Sequence, residues 1–159
     1  MLTTADVDAY YDVVHRAYQG DRKYPISFTA MDATKDDEYR WLQEEPTYGL
    51  FVDGALVSAI SLRMPWGKKP GPKAVPHIGQ FVTNPDYGHQ GYAKKLLHLI
   101  ETEILAKQLK APSVTLGTAN THPWLPQMYE KMGFVRFKEV QLPHKVHKTI
   151  FFEKKIEAL

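Results

Sequence analysis

The chain has 159 residues, 43% apolar and 24% charged, a size and balance that suit one globular domain burying its own core. It carries no cysteine, which excludes disulfides, thiolate metal sites and cysteine nucleophiles. A net charge of +2 is too small to argue for a nucleic-acid partner, and no apolar run is long enough to span a membrane. The N-terminus lacks the basic and apolar regions of a secretory signal, so a cytoplasmic location is the default expectation.

Along the chain, Val7, Tyr10, Tyr11, Val14 and Tyr18 recur at helical steps. They predict a helix from Thr4 to about Gln19, with Thr4 or Asp6 as its N-cap. A weaker helix is expected over Ala33–Glu44, started near Asp32 and stopped by Pro46. Thr47–Val52 and Ala55–Met64 are rich in β-formers, and Asp53-Gly54 between them predicts a type I′ hairpin. Pro65 to Pro72 reads as a loop. A third strand is expected from Lys73 to Thr83, closed by Asn84-Pro85. Ala93, Leu96, Leu97, Ile100 and Ile104 mark a long helix to about Leu109. A short strand Ser113–Gly117 follows, then a helix Pro123–Met132 ended by Gly133. Strands Phe134–Leu142 and Val146–Lys155 complete a mixed α/β order, whose central strand–helix–strand is expected to be parallel and right-handed.

Charge is unevenly distributed. Residues 1–62 hold five basic and eleven acidic side chains, net −6, which leaves +8 on the remainder. Either the two parts are differently solvated surfaces, or one faces an anionic ligand and the other a cationic one.

The most informative stretch is Asn84-Pro85-Asp86-Tyr87-Gly88-His89-Gln90-Gly91-Tyr92-Ala93-Lys94-Lys95-Leu96-Leu97. A strand ends, a turn follows with glycines three apart, and a helix begins. Such a turn gathers backbone N–H groups and the positive end of the helix dipole at one spot, which suits a pyrophosphate. Small residues at Gly88, Gly91 and Ala93 let that anion approach the backbone. The Walker spacing is absent, and Gln90 stands where a dinucleotide fingerprint needs glycine. Gly88 to Gly91 also matches the GXXG of RNA-binding KH domains, but those set the loop between two helices.

This stretch resembles motif A of the GNAT N-acetyltransferases, whose consensus reads roughly P-x-Y-R-G-Q-G-x-G/A-x-x-L. Further on, Met128-Tyr129-Glu130-Lys131-Met132-Gly133-Phe134 is similar to the family's motif B, L-Y-E-K-x-G-F. The two occur in the family's order and strand–helix contexts, although its usual first strand is very short or missing here. The resemblance implies the α/β (α+β) class: a GNAT-type mixed, largely antiparallel sheet with a central parallel, splayed strand pair, flanked by helices, in one domain over residues 1–159. It also implies acetyl-CoA as cosubstrate, no metal, an amine acceptor attacked directly in a ternary complex, and often a homodimer.

Site residues follow from the same resemblance. Pantetheine would lie along Phe81, Val82 and Thr83, and the pyrophosphate on Gly88, His89, Gln90, Gly91, Tyr92 and Ala93. Tyr129 matches the tyrosine that gives a proton or hydrogen bond to the departing sulfur. His77, aligned without gaps from Gly91, falls where the histone-acetylating branch carries its glutamate base. Many relatives use ordered water instead, which leaves His77 equally open to a structural or substrate-contacting role, with Glu44 and Glu45 in reserve as bases. The family's pantetheine-contacting asparagine is His122 here, and Asn120 serves if the loop differs by two residues; Pro123 also makes His122 a candidate helix cap. Gly88 replaces the usual Arg or Gln, a donor that His89, Lys94 or Lys95 would have to replace. With acetyl-CoA on the basic part, the acidic first 62 residues would face a small cationic amine. Protein- or tRNA-directed transfer and a non-catalytic acyl-CoA-binding regulatory domain are the alternatives. His144 and His147 lack neighbouring acids, so a solvated turn is the simpler reading than a shared metal. Tyr39, Trp41 and Tyr48 read as core packing more readily than as pocket walls.

Overall fold

Thr3, one residue ahead of the expected cap, starts the chain's first helix. Its hydroxyl accepts from Ala5 N at 3.2 Å, and Asp6 Oδ2 accepts from Thr3 N at 2.8 Å, a reciprocal capping box. A single 3-10 turn leads into α1 (Val7–Gln19). Thr34 and Asp37 repeat the device for α2 (Lys35–Glu44). The second helix therefore begins two residues later than the sequence suggests, because Thr34 outcompetes Asp32 as acceptor for the orphan N–H groups.

In this computed structural model, which describes residues 1–157, the strands are β1 (Thr47–Val52), β2 (Ala55–Arg63), β3 (His77–Thr83), β4 (Ser113–Ala119), β5 (Val135–Val140) and β6 (Thr149–Lys155). They form one sheet in the order β1-β2-β3-β4-β6-β5. Every neighbouring pair is antiparallel except β3–β4. Asp53 and Gly54 both take positive φ, 50° and 82°, as the tight β1–β2 turn requires.

β3 starts at His77 rather than Lys73. Arg63 explains the delay: its Nε and Nη2 donate to the carbonyls of Lys69 and Pro70 at 2.7 and 3.2 Å. The Pro-rich segment is thereby held as a loop, and Pro76 offers only a carbonyl, taken by Thr115 N at 3.1 Å. The last two strands are likewise shorter than expected.

β2 is buried along nearly its whole length, as befits a strand covered on both faces. One face meets α3 (Tyr92–Leu99), where Ile60, Leu62 and Ile78 pack with Leu96, Leu97 and Ile100. The other meets α1 and α2, where Ala59 and Val82 pack with Tyr10, Val14 and Leu42. Beyond α3 the helix continues over Ile100–Gln108 with wider turns, ending in a Leu109 N to Ile104 O bond of 2.9 Å. The last helix, α4 (Leu125–Lys131), begins two residues after the predicted Pro123 and closes near Gly133. No helix among the described residues is long and apolar enough to cross a membrane.

Candidate active site

The parallel pair is the shortest ladder in the sheet. β3 and β4 meet only at His77↔Thr115 and Ile78↔Leu116. β4 stays paired with β6 from Ser113↔Lys155 to Ala119↔Thr149, while β3 stays on β2 to Thr83. The two strands thus separate after their second pair. The backbone of Gly79–Thr83 that faces β4 is left without a strand partner, an edge that wants donors and acceptors. A cleft of about 1170 Å³ fills the V. Phe81, Val82 and Thr83 line one wall, Leu116 to Thr118 the other, and Tyr129 lies at its floor.

At the far end, Pro85 and Ala93 bracket the glycine loop and both line the cleft. His89 and Gly91 take left-handed φ values of 59° and 78°. Gly91 is the residue from which α3 starts, and among the described residues no side chain caps the helix. A Cβ added at Gly91 would meet no atom within 4 Å. Uncapped N–H groups beside open space fit a diphosphate. Lys94 and Lys95, exposed on the first turn, supply the nearest positive charge in sequence, and His89 adds a ring N–H donor. Gly88, Gln90 and Tyr92 complete the loop without lining the cleft proper. The donor set therefore fits the phosphate and pantetheine arms of a coenzyme A thioester.

Tyr129 is buried on α4 with its ring against Phe134 and Phe152. Its hydroxyl has no hydrogen-bond partner among the described residues, and burial raises its pKa well above the usual phenol value. Upstream, His122 Nδ1 accepts from the backbone N–H groups of Trp124 and Leu125 at 3.3 and 3.1 Å. Its Nε2 lies 3.2 Å from Asp21 Oδ1. Burial lowers the His122 pKa and raises that of Asp21, each opposed by the other, which fits a neutral ring that accepts at Nδ1 and donates at Nε2. The candidate cap is thus an acceptor for α4. His122→Ala is expected to destabilise the fold by about 1–2 kcal/mol, checked by urea denaturation; a change within measurement error would remove the capping role. Asn120 is not brought to the cleft. It is exposed, its Oδ1 accepts from Lys148 N at 3.0 Å, and its own N–H bonds Lys148 O.

His77 is also buried, with Nδ1 2.7 Å from Thr115 Oγ1 and its ring near Phe151. Gly71 packs on it so closely that a Cβ there would come within 2.6 Å. Burial, then the nearby Arg63, push His77 down to about 3, so the ring is a weak proton acceptor at neutral pH. Of the reserve bases, Glu44 pairs with Lys68 at 3.0 Å and is pulled below its ordinary range by that contact. Glu45 is buried and shifted upward by burial, and it does not line the cleft.

Of the five acids in the first 62 residues that line the cleft, three are held in ion pairs, Glu44 with Lys68 among them. Asp32 pairs with Arg22 at 2.7 Å and Asp37 with Arg40 at 2.6 Å. Arg63, Lys69 and Lys145 line the same space, and among the described residues Arg63 has no carboxylate within ion-pair distance. Trp41 lines the cleft with Nε1 on Ser61 Oγ at 2.8 Å, whereas Tyr39 faces outward and Tyr48 packs on the core. His147 is buried rather than solvated, its Nδ1 accepting from Ser27 N at 3.2 Å. One group that the sequence reading passed over stands out: Glu38, 1% exposed, on the cleft-facing side of α2. Its only sequence signal is its place three and four residues before Trp41 and Leu42, on the helix's buried stripe.

A sheet split between a parallel strand pair, with an uncapped helix start at one end of the opening, is the architecture of an acyltransferase. The chain belongs to the acetyltransferase (GNAT) family, whose pattern matches residues 10–134. It is 43% identical over 151 residues to the S-(2-succino)cysteine N-acetyltransferase of Bacillus subtilis (strain 168), covering 95% of this chain and 91% of that one. It is 32% identical over 159 residues to the S-alkylcysteine N-acetyltransferase of the same organism, covering 97% and 89%. Among solved structures, the PaiA N-acetyltransferase of Thermoplasma acidophilum in complex with coenzyme A shares the fold with a TM-score of 0.71 at 17% identity, over 97% of this chain and 95% of that one.

Proposed function

We propose that the chain, as one domain over residues 1–159, transfers an acetyl group from acetyl-CoA to the α-amine of a small S-substituted cysteine. The observation that carries the acceptor is the 43% identity, along nearly the whole chain, to an enzyme named for S-(2-succino)cysteine. Such an acceptor bears carboxylates. A cleft with Arg63 unpaired, and with Asp32, Asp37 and Glu44 already neutralised, suits it better than the small cationic amine that charge distribution alone suggests.

When bound, acetyl-CoA supplies the thioester whose acetyl group is transferred. The free edge of Phe81–Thr83 offers backbone groups to the pantetheine amides. The Gly88–Ala93 turn offers N–H groups to the diphosphate, with Lys94 and Lys95 adding the charge that Gly88 omits. Tyr129 holds a proton for the leaving sulfur. His77, neutral on Thr115 and wedged against Gly71, holds the Pro-rich loop over the cleft. Arg63, which pins the same loop, turns its remaining donors to an acceptor carboxylate.

Arg63→Met tests the acceptor reading. Losing one charged hydrogen bond to a carboxylate corresponds to about 10- to 100-fold in kcat/KM, expressed mainly in KM for the acceptor. The same acceptor with its carboxylates converted to amides should lose little. Equal losses for both would mean that Arg63 only braces the loop.

A further inference from the structure

Glu38 is a buried carboxyl group at the wall of the cleft, in no ion pair among the described residues. α2 carries it inward, and 1% of its surface remains exposed. Its Oε1 accepts from Gln80 Nε2 at 3.3 Å. Its Oε2 is itself buried and has no hydrogen-bond partner among the described residues. Gln80 belongs to β3 and stands one residue before Phe81, in the stretch that has separated from β4. The Gln80 side chain is fixed from the other side by the Tyr10 hydroxyl, which donates to Oε1 at 2.5 Å and lies 3.4 Å from Ser61 Oγ. The groups facing Glu38 are Tyr10 and Tyr18 from α1, Gln80 from β3 and Asp37 from its own helix. None of them is a cation.

A buried carboxyl without a cationic partner costs stability. Burial pushes Glu38 up to about 7, with the Gln80 bond opposing and Asp37 adding to the rise. Such a group, at the wall of a cleft and with a buried oxygen that has no partner, is suited to meet a cation that displaces its neighbours and enters from the cleft. An amine acceptor arrives as an ammonium ion and must lose a proton before it can attack.

We propose that Glu38 receives the acceptor's ammonium group on Oε2 and removes its proton, a role that rests on the N-acetyltransferase reading above. One ammonium proton passes to the Glu38 carboxylate, leaving the nitrogen lone pair free. That pair forms the bond to the acetyl carbon, and the carbon–sulfur bond breaks with its electrons on sulfur. The Tyr129 hydroxyl gives sulfur a proton, and the second nitrogen proton, lost as the amide forms, restores Tyr129. Glu38 returns its own proton to water when the product leaves. Gln80 and Tyr10 hold the carboxyl in place, and they are positioning residues.

The test compares wild type, Glu38→Gln and Glu38→Asp across pH 5.5 to 9, by thiol release, with a panel of S-substituted cysteines, unsubstituted amino acids and cationic amines. Wild-type kcat/KM is expected to rise through a limb near pH 7, as the carboxyl ionises. Glu38→Gln should lose that limb and fall by on the order of 100-fold, while Glu38→Asp should be slower with the limb retained. The folded-state pKa of Glu38 lies above its unfolded value, so wild-type stability should fall as pH rises from about 4.5 to about 7. Glu38→Gln should therefore melt no lower than wild type at pH 8, which separates a lost base from a lost fold. A Glu38→Gln enzyme that keeps the wild-type rate and limb overturns the proposal, whichever amine is preferred. If the glutamine variant does not fold, a Glu38→Asp enzyme at full wild-type rate overturns it equally. Another amine class ranking first, with the limb still lost in Glu38→Gln, overturns the acceptor reading alone. Acetylation of no amine overturns both.

Discussion

Replacing Tyr129 by phenylalanine is expected to lower kcat by on the order of 100-fold while acetyl-CoA affinity stays near wild type. The ring sits between Phe134 and Phe152 and contributes to the main core. Phenylalanine keeps those contacts. The hydroxyl has no partner among the described residues, so its removal strands no buried donor or acceptor, and the fold should lose well under about 1 kcal/mol. What the substitution removes is an O–H at the floor of the cleft, in a place dry enough to raise its pKa. A group so reluctant to ionise is a weak acid in the resting enzyme. A thiolate forming beside it is a strong base in the same low-dielectric space, and it makes the transfer favourable only at the moment of reaction. Single-turnover kinetics over pH 6–9 check this. A core role alone predicts unchanged turnover with a small change in melting temperature, which is the opposite pattern.

Gly91→Val should abolish measurable acetyl-CoA binding. Gly91 holds φ at 78° directly before α3, where a β-branched residue costs about 1–3 kcal/mol in backbone strain. Relaxing that strain would turn the first N–H groups of α3 away from their common point. If the backbone instead stayed fixed, the new side chain would project into the open space found there, where the proposed diphosphate would sit. Both routes lead to the same loss. In thermal denaturation, wild type at about a hundred times its dissociation constant of acetyl-CoA should gain roughly 2.7 kcal/mol, and the variant should gain none. A variant that still shifts would move the phosphate contacts away from this turn, to Lys94 and Lys95 alone.

Local chemistry made much of this molecule legible in advance. The Asp53-Gly54 hairpin needed only its turn residues. The glycine loop needed only the order strand, turn, helix, and the two motifs then supplied the splay between β3 and β4. Hidden were the choice among competing local caps and the features created by distant packing. Thr3 and Thr34 cap their helices with Asp6 and Asp37 as reciprocal partners, and acids nearer the expected starts obscured the true N-caps. Nothing in Lys73–Pro76 says that Arg63, a residue from the preceding strand, will take the carbonyls just upstream and postpone β3. Asn120 looked available because its bonds go to Lys148, the residue just before β6 and distant in sequence. The role of His77 stayed open because burial and the nearness of Arg63, which lower its basicity, are tertiary facts. Glu38 was the converse case, a charged residue on a polar-looking helix that becomes important only when α1 and β3 close around it. The charge split was real in the sequence, but three of the five acids it brings to the cleft lie in ion pairs.

The central claim is acetyl-CoA-dependent acetylation of an S-substituted cysteine on its α-amine. It is tested most directly by following free thiol from acetyl-CoA in the presence of S-(2-succino)cysteine, with a small cationic amine as the control and the N-acetylated product identified by mass. The account predicts thiol release that depends on the cysteine derivative, one N-acetyl product per thiol, and little turnover of the cationic amine. Brisk release with the cationic amine and none with any S-substituted cysteine would contradict it.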